Sequence, residues 1–185
     1  MKPTLTRSPA SHWTRPQIAV PPNACDCHVH VFEDPAAFPL SAGRLYTPGP
    51  ATSRDLLELL DAIGVRRAVI VQPTPYGADN RCLVDALERL AGRARGVVVL
   101  ETSVTDRELS ALNLAGVRGI RVNLETLGAN DPKAAARDIR AAAATAEKMG
   151  WHVQTYASRA MIAELHDVIL DLPVPLVIDH FGRAQ

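Results

Sequence analysis

Apolar and polar positions alternate between two periods from residue 24 onward. Short apolar runs predict strands at Ala24 to Phe32, Arg67 to Gln72 (RAVIVQ), Arg95 to Leu100 (RGVVVL), Val117 to Val122 (VRGIRV), Trp151 to Tyr156 and Val174 to His180 (VPLVIDH). Between them the period lengthens, and helices are expected at Ser53 to Ile63, Asn80 to Leu90, Thr105 to Leu114, Pro132 to Met149 and Arg159 to Leu170. The helix ends carry their own signals. Ser53 is the expected N-cap of the first helix and Gly64 its stop. Thr105 and Glu108 have the spacing of a capping box, and Asp131 caps a helix with Pro132 in its first turn.

Six apolar strands joined by five helical segments predict a parallel sheet covered on both faces. No Gly-rich phosphate loop follows any strand. The expected fold class is therefore α/β, a TIM-like (β/α) barrel, rather than a nucleotide-binding sheet. A full eight-stranded barrel takes about 250 residues and at least about 200, and this chain has 185. The expectation is an incomplete barrel, about six strands and five helices of eight, from a fragment or a truncated reading frame. The competing expectation is a complete open sheet of the flavodoxin type.

Composition narrows the function classes. Lys plus Arg and Asp plus Glu number 20 each, so no charge excess points to nucleic acid or to an anionic membrane. No segment has the length and apolarity of a membrane span. Cys25, Cys27 and Cys82 are sparse and odd in number, which reads as reduced thiols in a cytoplasmic protein. Residues 1–23 hold five prolines, three basic residues and no acid, and lack an apolar signal core. They are expected to be a tail or arm, with residues 24–185 as the barrel domain.

The polar residues gather where the strands end. The first strand closes on Cys25-Asp26-Cys27-His28-Val29-His30, with His28 and His30 expected on one face. The second ends at Gln72, followed by Thr74 and Tyr76; the third at Glu101 and Thr102; the fourth at Arg121 and Asn123; the fifth at Gln154 and Tyr156; the sixth at Asp179 and His180. A barrel builds its active site on that rim. His28, His30, Arg121, Tyr156 and His180 are the expected functional set. Glu101 and Thr102 read as ordinary loop polarity, His12 as tail, His166 as helix surface and His152 as a hydrogen-bonded core residue.

At this point the chain resembles the amidohydrolase superfamily, in its amidohydrolase-related branch. The matching pieces are ACDCHVHVF, YTPGPAT, RAVIVQPTPYGADN, VRGIRVN, WHVQTYA and VIDHFGR. Together they are most similar to the 2-pyrone-4,6-dicarboxylate lactonase and sugar-lactonase group, from about residue 21 to the last. The resemblance implies a distorted barrel that hydrolyses lactones, with a small lactone or carboxylate as substrate. It implies His28, His30 and His180 as catalytic histidines. Arg121, Tyr156 and Arg183, with Gln72 and Tyr76, become substrate-binding residues. The group's catalytic aspartate follows strand eight and has no counterpart here, so the chain alone is expected to be impaired. Group members also grip a dicarboxylate with basic residues after strand four, where this chain has Glu125.

Donor types decide the cofactor expectation. Strand four carries Arg121 rather than Lys, and strand five carries Gln154 and Tyr156 rather than His. Amide and phenol are weak zinc ligands. No metal cofactor is favoured; the alternative is Zn²⁺ or another divalent metal on His28, His30 and His180. Two rival functions stay open: a metal-dependent decarboxylase of the same superfamily, and a non-catalytic truncated product. In the latter, exposed sheet edges would lead to homo-oligomers.

Overall fold

The computed structural model describes residues 13–126, 128 and 130–183. It divides into two compact units, Met1–Gly96 and Val97–Gln185. His12, expected in the tail, lies outside the described residues. Residues 13–23 form no helix or strand.

In the first unit, β1 (Cys25–Val29), α1 (Ser53–Ile63), β2 (Arg67–Val71) and α2 (Arg81–Arg89) lead into β3 (Ala94–Val98). β1 and β2 are parallel neighbours, with Cys25 opposite Arg67, Asp26 opposite Ala68 and Val29 opposite Ile70. Three steps on β1 match two on β2, so a bulge falls at Cys27 and His28. The bulge corrects the expected strand to Phe32: regular pairing stops at Val29. Phe32 instead exchanges both backbone hydrogen bonds with Ala51, 2.8 and 3.0 Å, which ties down the end of the long loop that follows. Leu56, Leu60, Ile70, Val71, Leu83 and Leu87 make up much of this unit's core.

α1 has the expected range, but its N-cap is Thr52, not Ser53. The Thr52 side chain accepts from the Asp55 backbone N–H while Asp55 reaches back to Thr52. Both residues are good caps; the reciprocal partner three positions on decides, and for Ser53 that position is Leu56, which has no acceptor to offer, while the Ser53 hydroxyl donates to Glu33 instead. Gly64 ends the helix in the left-handed region, φ 78°, a conformation open to glycine at no steric cost.

The second unit runs from the end of β3 through α3 (Asp106–Ala115), β4 (Val117–Asn123), α4 (Pro132–Met149), β5 (His152–Tyr156), α5 (Arg159–Glu164), α6 (His166–Leu170) and β6 (Leu176–Ile178). β5 lies between β4 and β6, parallel to both. The Thr105/Glu108 capping box and the Asp131 cap with Pro132 in the first turn form as expected. Leu124, Ala135, Ile139, Ala157, Met161 and Leu165 form the core against α4 and α5.

Two expectations are corrected here. The segment 159–170 is two short helices that break at Leu165, φ −92° and ψ 6°. Met161, Leu165 and Ile169 continue one apolar stripe across the break, so periodicity alone reads it as one helix. The last strand is Leu176–Ile178 rather than 174–180. Pro175 has no N–H to give the ladder, although its carbonyl accepts from Val153 at 3.0 Å. After Ile178 the chain turns sharply, with His180, Phe181, Gly182 and Arg183 all at positive φ.

One close approach organises β4 and β5. Gly119 stands opposite His152, and the imidazole lies over it: an added Cβ at Gly119 would meet His152 Cε1 at 2.5 Å. His152 is half-buried at the start of β5.

Candidate active site

The first unit holds the paired histidines. His28 sits in the β1 bulge, and its backbone N–H donates to Asp26 Oδ1 at 3.3 Å. The His28 and His30 rings meet edge to face with centroids 5.0 Å apart. His30 Nδ1 lies 2.7 Å from the Val71 carbonyl at the end of β2. A carbonyl only accepts, so neutral His30 carries its proton on Nδ1 and presents the Nε2 lone pair. That tautomer suits a metal ligand or a proton acceptor equally.

Beyond His30 runs an aromatic row. Phe32 lies 6.3 Å from the His30 ring and stacks on Tyr76 at 5.9 Å. Tyr76 stands on a short 3₁₀ turn, Thr74–Tyr76, and is 3% exposed. Its hydroxyl is buried beside the Cys82 thiol, and burial, then that thiol, pushes the phenol pKa up. Gln72 is fully buried, and its amide nitrogen donates to the Gly77 and Asp79 carbonyls at 3.1 and 2.9 Å. It thereby pins the loop that carries Tyr76.

The second unit holds a connected polar set. Arg121 Nε and Nη2, at the end of β4, both lie 3.3 Å from Asp179 Oδ2. The two side chains are 4% and 1% exposed. Gln154 on β5 donates to the other carboxylate oxygen, Oδ1, at 2.5 Å. The guanidinium carbon stands 6.0 Å from the centroid of the Tyr156 ring, within range of a cation–π attraction. Tyr156 meets His180 edge to face at 4.8 Å. His180 is exposed and Asp179 buried. Arg183 pairs with Glu125.

Arg121, Tyr156 and His180 are thus brought together, as are His28 and His30. Asp179 and Gln154, absent from the expected functional set, form the buried centre of the second group. The available signal was an aspartate in an apolar strand, Val177-Ile178-Asp179: a carboxylate buried there requires a partner.

The family model described as amidohydrolase matches residues 25–185. The chain belongs to the amidohydrolase family. Among this amidohydrolase's relatives, 2-pyrone-4,6-dicarboxylate hydrolase of Comamonas testosteroni is 42% identical over 173 residues, covering 93% of this chain and 56% of that protein. A 4-sulfomuconolactone hydrolase of Rhizobium radiobacter is 33% identical, covering 91% and 56%. The chain therefore spans little more than half the length of the curated relatives it matches.

Solved structures agree on the fold. One from Acinetobacter baumannii, holding citric acid and bearing the name of a 2-pyrone-4,6-dicarboxylic acid hydrolase, superposes with a TM-score of 0.77 at 29% identity. It covers 88% of this chain and 60% of its own. One of the same name from Pseudomonas putida gives 0.73 at 36% identity, covering 87% and 58%. The six strands of this amidohydrolase and the helices between them are thus those of an incomplete TIM-like barrel. No helix among the described residues is long and apolar enough to cross a membrane.

Proposed function

We propose that this amidohydrolase acts in lactone hydrolysis, adding water to the carbonyl of a cyclic ester. The observation that carries the reading is the Arg121–Tyr156–His180 group, held by the buried Asp179, in a chain whose relatives are named as lactone hydrolases. Arg121, Tyr156 and Arg183 orient the substrate through its carbonyl or carboxylate oxygens, as Arg does with two parallel donors. His28, His30 and His180 stabilise the oxyanion that develops as water adds. A well-placed donor contributes about 3–4 kcal/mol to that step. Gln72 and Tyr76 act from the loop after β2. A carboxylate base takes the proton of the attacking water; the resemblance assigns it outside residues 1–185.

Donor chemistry bears on the metal. His28 and His30 supply two nitrogen donors, and the Asp179 carboxylate already accepts from Arg121 and Gln154. The proposed mechanism routes no step through a metal. Zn²⁺ on His28, His30 and His180 is the alternative, which the His30 tautomer suits as well as it suits a proton acceptor, and it brings the decarboxylase reading with it.

The test is ring opening of a lactone panel followed by pH-stat, with zinc content measured on the same sample. Acid release without stoichiometric zinc supports the proposal. Carbon dioxide release with one zinc per chain replaces it with the decarboxylase.

A further inference from the structure

β1 carries a pair of thiols that the lactone chemistry does not use. Cys25 and Cys27 stand two residues apart on that strand, and both are free. Cys27 is exposed and Cys25 half-buried. Cys27 sits in the bulge, its Sγ 3.6 Å from the Cys25 carbonyl. Cys25 Sγ lies 3.7 Å from the Asp26 carbonyl. The two thiols are within hydrogen-bonding reach of each other, and burial, then the Cys27 thiol, pushes the Cys25 thiol up.

Such a pair suits a cation better than a disulfide. Two steps of strand separate the Cα atoms by about 6.6 Å, the long end of the disulfide range. A metal between the sulfurs spans a wider gap than an S–S bond. It also stands between two thiolates that would otherwise repel each other. Thiolates are soft donors and select copper(I) or zinc. Zinc takes four ligands, and no third His, Cys, Asp or Glu donor closes on the pair among the described residues. Copper(I) is satisfied by two sulfurs. Its bis-thiolate complex carries one negative charge, and Arg67 stands opposite Cys25 in the β1–β2 ladder. The Arg67 side chain donates to the Asn23 carbonyl, which holds the guanidinium at this end of β1.

We propose that Cys25 and Cys27 form a two-coordinate site for a soft monovalent cation of the copper(I) type, with Arg67 compensating the charge of the complex. On binding, each thiol gives its proton to solvent and two Cu–S bonds form; no electron is transferred. The site stands apart from the lactone-hydrolase reading and supplies no step in it. Cys82, 1% exposed, takes no part.

The experiment titrates the reduced, purified protein with copper(I) under anaerobic conditions, against a copper(I)-specific chelator whose complex absorbs visible light. One equivalent is retained per chain. Cys25→Ser and Cys27→Ser each weaken retention by more than about a hundredfold, because losing a ligand costs more than losing a group behind one. Arg67→Gln weakens it about threefold, as for an exposed charge pair. Cys82→Ser and the double variant His28→Asn, His30→Asn leave it unchanged. Copper-edge X-ray absorption on the wild type needs no variant to fold, and it reads two sulfur neighbours. Nitrogen neighbours in that spectrum overturn the proposal, as does retention that survives loss of both thiols. Failure to retain copper(I) against the chelator, or one equivalent of zinc held by the thiol pair through gel filtration, overturns it as well.

Discussion

Replacing Asp179 by Asn should destabilise the protein severely, because it removes the carboxylate that neutralises the buried Arg121 guanidinium. Arg121 is 4% exposed on its side chain, and two of its nitrogens lie 3.3 Å from one Asp179 oxygen. At that separation and an effective dielectric of about 20, Coulomb's law gives about 5 kcal/mol. Breaking a buried pair by removing one partner costs about 3–5 kcal/mol. Total stabilities run from about 5 to 15 kcal/mol, so Asp179→Asn removes a large fraction. In a chain of this size the melting temperature falls by roughly 10 °C. Urea denaturation followed by circular dichroism measures the loss directly. The double variant Arg121→Met, Asp179→Leu separates charge from shape: with both charges gone it should recover most of the stability. A single variant within about 1 kcal/mol of wild type would refute the reasoning.

Gly119→Ala forces the His152 ring from its place, since the new Cβ would stand 2.5 Å from Cε1; the expected cost is about 1–3 kcal/mol, and His152→Ala in the same background should recover part of it in a thermal melt. Thr52→Ala removes the α1 cap and should cost about 1 kcal/mol in urea denaturation. The Asp79 carboxyl is held below its ordinary value of 3.8 by its hydrogen bond to Arg81, against a smaller opposing effect of burial. A folded pKa below the unfolded one stabilises the fold above the ordinary value, and that contribution is lost as pH falls through the lowered one. Carboxyl-carbon NMR should therefore show Asp79 titrating below 3.8, moving up in Arg81→Gln; titration at or above that value contradicts the pair.

Much of the fold was legible because its signals are local. The limits of α1 and α4 follow from Gly64, Asp131 and Pro132, and the α3 box from Thr105 and Glu108. What escaped depends on pairing across the chain. The β1 bulge is a mismatch with β2, invisible in the period of β1 itself. Leu165 breaks a helix without breaking its apolar stripe. At the site, the nearness of His28 and His30 was legible from their two-residue spacing, although the bulge falls at His28 and His30 lies past the end of β1. Asp179 and Gln154 were not: each counts as ordinary strand-end polarity until Arg121, 58 positions earlier, is seen on the same carboxylate.

The central claim is ester chemistry on a lactone, and pH-stat titration of a purified sample against a lactone panel tests it most directly. The account predicts one equivalent of acid for each ring opened, with loss of activity in His180→Asn and Tyr156→Phe. Carbon dioxide release in place of acid, or no turnover of any lactone by a folded sample that includes the carboxylate base, would contradict it.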